Sequence, residues 1–126
     1  MSFRRASYLA SVVSYSGGLL FSIPPARDAA AARFAALIFH GGATDTATAI
    51  PPLMTAFQGT SETYFRVLER AGDFPVICNH GAGHSVPAST RASALQFLLD
   101  HPFDTPPSPY AAGLPAGFFT PCALTL

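Results

Sequence analysis

Three short runs of this chain are predominantly apolar. Leu9 to Tyr15 (LASVVSY) is β-branched and closed by Ser16-Gly17-Gly18; Ala35 to Phe39 (AALIF) is closed by His40-Gly41-Gly42; Phe74 to Cys78 (FPVIC) is followed by Asn79-His80-Gly81. Such runs predict buried strands, and the continuous hydrophobicity of Ala35 to Phe39 suits one covered on both faces, as in a parallel sheet. Between them the period changes. Ala29 to Arg33 is alanine-rich and predicts a short helical turn, and Ile50 to Phe57 predicts a helical segment with Pro51-Pro52 near its start. A further helix begins at Thr60 or Ser61, carries Glu62 in its first turn, runs through Tyr64, Phe65, Val67 and Leu68, and ends at Gly72. Ala88 to Asp100 predicts a last helix, with Ala92, Leu95, Leu98 and Leu99 on one side and Pro102 as its stop. Beyond it, Pro, Gly and aromatic residues follow no period, so 102–126 is expected to pack as an irregular tail through Phe103, Tyr110, Phe118 and Phe119.

Strands joined by helices imply parallel pairing and an α/β fold, with active groups beyond the carboxyl ends of the strands. The 126 residues fit one domain. Charged residues are only 11% of the chain, seven arginines against seven acids, and there is no lysine. No basic cluster exists to neutralise phosphates, which excludes nucleic acid as a partner. No uninterrupted apolar stretch is long enough for a membrane span. Arg4 and Arg5 precede an apolar run from Tyr8 to Val13, a superficial likeness to a signal peptide that Ser11, Ser14 and Gly17-Gly18 interrupt. Cys78, in an apolar strand, reads by default as a buried inert thiol, with a Cys78–Cys122 disulfide as the less favoured alternative.

The residues with chemistry cluster after the strands. Asp45 lies in HGGATDT and His84 in NHGAGHSVP, each on a glycine-rich loop a few positions past a strand end. A carboxylate on one nitrogen of an imidazole fixes its tautomer and steadies the imidazolium, which is what a general base needs. His40, Asp45, His80 and His84 could also be read as metal ligands. Gly81 and Gly83 argue against a helix that would align His80 with His84, and no H-E-x-x-H glutamate is present.

The segments VVSYSGG, ALIFHGGATD and VICNHGAGH together resemble the C-terminal half of an α/β-hydrolase, most closely the polyhydroxybutyrate-depolymerase-like and feruloyl-esterase-like carboxylesterases. The resemblance spans about Ser7 to Leu99. It implies a partial three-layer hydrolase sheet, Asp45 as the acid, His84 as the histidine, an ester or polyester substrate, secretion, and no cofactor or metal. It places His40, His80 and Gly81 at the substrate cleft. The order acid then histidine agrees with that fold's chain order. The G-x-S-x-G nucleophile elbow is missing. Ser16, in Ser14-Tyr15-Ser16-Gly17-Gly18, is the nearest candidate, but Ser14 stands where the first glycine belongs. The same segment reads as the strand that lies between nucleophile and acid in such folds. The glycines of HGG lie in the acid loop and read as turn formers, not as an oxyanion hole. The expectation is an N-terminally truncated hydrolase that carries the acid and histidine but lacks the nucleophile. The alternative is a catalytically inactive remnant, acting as an interaction module or completing its fold with a partner. A half-sheet with an open edge also invites self-association.

Overall fold

In the computed structural model, which describes residues 2–19, 23, 26–50, 53–103 and 107–126, the apolar runs become adjacent strands. Strand β1 spans Ser11–Tyr15, β2 Ala35–His40 and β5 Phe74–Asn79. They pair in parallel in the order β1-β2-β5, with Val13 opposite Leu37 and Leu37 opposite Val76. A two-residue strand, β6 (Cys122–Ala123), adds antiparallel to β5. The fold is therefore mixed α/β around a mostly parallel four-stranded sheet.

Strand β2 is buried along its whole length because both of its faces are covered. Ala36 and Ile38 pack with Phe3, Ala6, Phe34 and the inner face of helix α1 (Phe57–Arg70), which supplies Tyr64, Phe65, Val67 and Leu68. Ala35, Leu37 and Phe39 face the other way, against Phe97 of helix α2 (Arg91–Asp100) and Tyr110 and Phe118 of the C-terminal segment. Each fully buried Leu, Ile or Phe contributes roughly 1.5–3 kcal/mol over its exposed state. Cys78 and Cys122, opposite one another in the β5–β6 pair, form a disulfide across 44 positions of sequence. By chain-entropy reasoning a loop of that size contributes about 4 kcal/mol.

Three local readings of the sequence change. The segment expected as a helix from Ile50 to Phe57 is instead part of an antiparallel hairpin, β3 (Thr46–Ile50) with β4 (Leu53–Ala56); Pro51 and Pro52 lie outside the described residues, as do Pro24 and Pro25. The alternating threonines at 46, 48 and 55 suit a pleated ribbon better than a helix. Helix α1 consequently starts at Phe57, ahead of the Thr60 or Ser61 cap, because the Phe57 N–H is held by the Asp45 carbonyl at 2.8 Å. Ala29 to Arg33 forms a turn at Ala30 and Ala31 and no helix.

The helix expected over Ala88–Asp100 begins with one 3₁₀ turn, Ala88–Thr90, and becomes α-helical at Arg91. Its apolar stripe faces solvent: Leu95 is 60% and Leu99 65% exposed, while Thr90, Ser93 and Phe97 face inward. Ser93 earns its inward place by accepting the Phe119 N–H at 2.8 Å.

Candidate active site

Parallel pairing puts the ends of β1, β2 and β5 side by side, and the loops leaving them converge. Asp45 follows β2 after a single 3₁₀ turn, Gly42–Thr44. Its side chain is fully buried. A buried carboxylate must have its lone pairs satisfied, and three groups do so. Oδ1 faces Nδ1 of His84 at 3.0 Å. Oδ2 accepts the Gly41 N–H and the Ser16 hydroxyl, each at 2.8 Å. Burial alone pushes the Asp45 carboxyl upward, but the Gly41, Ser16 and His84 contacts outweigh it and hold it below its ordinary range. The ionised carboxylate only accepts, so His84 carries its proton on Nδ1 and leaves Nε2 with a free lone pair. The His84 side chain is 50% exposed, and its ring stacks on Phe57 with centroids 4.9 Å apart. Phe57, which begins α1 directly after the hairpin, was not singled out by the sequence.

The acid loop and the histidine loop meet through glycine. A Cβ on Gly41 would lie 2.0 Å from the Gly83 carbonyl oxygen, so no larger residue allows this approach. The Gly83 N–H binds the Gly41 carbonyl at 3.2 Å. Gly42, at φ 79°, makes the left-handed turn that brings Asp45 back under its own strand. The glycines of HGG thus shape the acid loop, as their place in the sequence implied, and Gly41 spends its N–H on Asp45.

His40 is the last residue of β2, and His80 is the first residue beyond β5, whose last residue, Asn79, pairs with His40. Each accepts, at Nδ1, the N–H two residues ahead: Gly42 at 3.1 Å and Ala82 at 3.2 Å. In their neutral forms both therefore carry the proton on Nε2, the opposite tautomer to His84. Burial lowers the pKa of both. Nε2 of His80 is buried without a hydrogen-bond partner. Gly81 is exposed, adopts φ 67°, and donates to the Asn79 side chain at 2.9 Å.

The structure brings Ser16, Gly41, Asp45 and His84 into one hydrogen-bonded chain, but Ser16 enters it on the far side of the acid. Its hydroxyl meets Asp45 and not His84. Among the described residues no group of three or more His, Cys, Asp or Glu side chains is placed to hold a metal ion, and no helix is long and apolar enough to cross a membrane. A cavity of about 460 Å³ lies at the opposite end of the sheet, lined by Leu9, Phe34, Phe74 and Phe103 among others, away from these residues. Compared with protein-family models, with curated proteins and with solved structures, the chain matches none.

Proposed function

We propose that this chain carries the acid and histidine of a serine-type carboxylic-ester hydrolase of the α/β-hydrolase kind. The observation that carries the reading is the 3.0 Å contact between the buried Asp45 carboxylate and Nδ1 of a half-exposed His84, on loops leaving adjacent parallel strands. In that chemistry a serine oxygen attacks the ester carbonyl, and its proton passes to Nε2 of His84. Asp45 stabilises the imidazolium, and His84 returns the proton to the departing alcohol. Water then repeats the sequence on the acyl-serine. Ser16 is not assigned the nucleophile's role, because its hydroxyl is engaged by Oδ2 of Asp45. The nucleophile is a serine that another segment must bring to Nε2. His80, with an unpartnered Nε2, and Gly81 are assigned to the wall of the cleft. The Cys78–Cys122 disulfide supports secretion, since such bonds persist in oxidising compartments.

Without that serine, His84 acts on water. Purified chain is expected to hydrolyse p-nitrophenyl acetate slowly, with no initial burst, and His84→Ala to fall to the buffer rate. A general base contributes about 10²–10⁴-fold, which sets the scale. An unchanged rate in His84→Ala contradicts the reading. A fluorophosphonate probe that labels Ser16 would make Ser16 the nucleophile instead.

A second reading, an interaction module, is favoured by the solvent-facing Leu95 and Leu99 and by the position of β1 at the edge of the sheet. Pairing through that edge with a second copy or a complementary strand would appear in sedimentation as a concentration-dependent dimer or a complex.

A further inference from the structure

We infer that Ser16 is a positioning residue for the Asp45–His84 pair: its hydroxyl fixes the rotation of the Asp45 carboxylate, so that Oδ1 and not Oδ2 is presented to the imidazole. This rests on reading Asp45 and His84 as the acid and base. The hydroxyl donates to Oδ2 at 2.8 Å from a residue that is itself buried. The second donor to Oδ2, the Gly41 N–H, belongs to the acid's own loop and moves with it. Ser16 comes from the neighbouring strand, so it anchors the carboxylate to a different part of the sheet. Its backbone is pinned as well: the Ser16 N–H binds the Phe39 carbonyl at 2.9 Å, tying the end of β1 to β2 beside the acid loop.

The conformation of Ser16 supports the same reading. Its φ is 47°, and among the described residues it is the one non-glycine in the left-handed region. That region is strained for a non-glycine residue, and glycine avoids the strain. Glycine occupies the next two positions, yet position 16 holds a serine. The left-handed turn is what aims a one-carbon hydroxyl side chain back beneath β2. A backbone requirement alone calls for glycine; a requirement for a donor calls for serine.

Glycine and alanine variants separate the two explanations. Ser16→Gly relieves the backbone and removes the hydroxyl; Ser16→Ala keeps the strain and removes the hydroxyl. The measurement is the carboxyl ¹³C titration of Asp45 in the whole chain, with His40, His80 and His84 followed together because each is electrostatically coupled to this carboxylate. Loss of one charge-assisted hydrogen bond is expected to weaken Asp45 as an acid about tenfold, to the same extent in both variants. The His84 Nδ1 proton resonance should broaden in both. If Ser16→Gly titrates like the parent, the hydroxyl does not position the acid and the inference is wrong. If Ser16→Ala does not fold, Ser16→Gly alone decides. The titration is read on Asp45 itself, so an ester hydrolysis rate insensitive to His84→Ala would overturn the hydrolase reading and leave this result to be judged separately.

Discussion

Two buried aspartates sit at opposite ends of the sheet and do different work. Asp73 immediately precedes β5, at the amino ends of the parallel strands; Asp45 follows β2 at the carboxyl ends. Asp73 is closed on every side by permanent partners. Its Oδ2 pairs with Arg27, and its Oδ1 accepts the Phe34 N–H at 3.2 Å. Arg27 is nearly buried, donates to the Ala32 carbonyl at 2.7 Å, and lies over the rings of Phe3 and Phe34 at 5.0 and 5.5 Å. That pair is a structural plug. A guanidinium keeps its proton, so the partner of Asp73 offers no lone pair that could accept one. Asp45 instead faces the imidazole of His84, whose side chain is half exposed. Asp45 has three donors and Asp73 two, so both carboxylates are satisfied and satisfaction alone does not distinguish them. The nature and exposure of the partner does.

The amide substitutions should separate them most strongly. Asp45→Asn keeps the shape but removes the charge and disturbs the His84 tautomer. It is expected to lower His84-dependent hydrolysis of p-nitrophenyl acetate by about 10²–10⁴-fold. Asp73→Asn is expected to leave the rate per folded molecule unchanged. Its effect falls on stability and is read by urea unfolding: because burial outweighs Arg27 in setting the Asp73 carboxyl, the neutral amide is expected to cost little at neutral pH. Equal losses of rate in the two variants would erase the distinction.

A smaller effect lies in the pH dependence of stability, where the two carboxylates carry opposite signs. The Asp45 carboxyl is lowered, so its contribution is complete above the ordinary value of 3.8 and is lost as pH falls through the lower folded value. The Asp73 carboxyl is raised by burial, which outweighs Arg27 and the Phe34 N–H. The folded chain therefore holds that proton more tightly than the unfolded chain, and stability declines as pH rises from 3.8 through the raised value. Unfolding measured from pH 3 upward in the parent and both variants tests this. Relative to the parent, Asp45→Asn should remove a slope that rises with pH, and Asp73→Asn one that falls.

What the sequence disclosed follows the same division between local and distant causes. Strands β2 and β5 were legible almost to the residue, because a strand buried on both faces is written as an unbroken apolar run between glycines. Asp45 and His84 were legible because each sits one short loop beyond such a strand. The hairpin was not. Its threonines and alanines are weakly apolar, and what makes it a hairpin is the closure of Asp45 onto Phe57 at its base. The orientation of α2 was also hidden. Four apolar side chains lie on one side of it, but the space over the sheet is filled by Phe97, Tyr110 and Phe118, two of them from the distant C-terminal segment. Ser16 was found as a residue but not in its place, since sequence cannot tell which oxygen of a carboxylate a hydroxyl will meet.

The hydrolase proposal requires Asp45 to hold His84 with its free lone pair on Nε2, whereas His40 and His80 are held in the opposite sense. Imidazole ¹⁵N spectroscopy at neutral pH reads this directly for each ring. A protonated Nδ1 and bare Nε2 are expected for His84, the reverse for His40 and His80, and loss of the His84 preference in Asp45→Asn. A His84 ring protonated on Nε2 in the parent protein would contradict it.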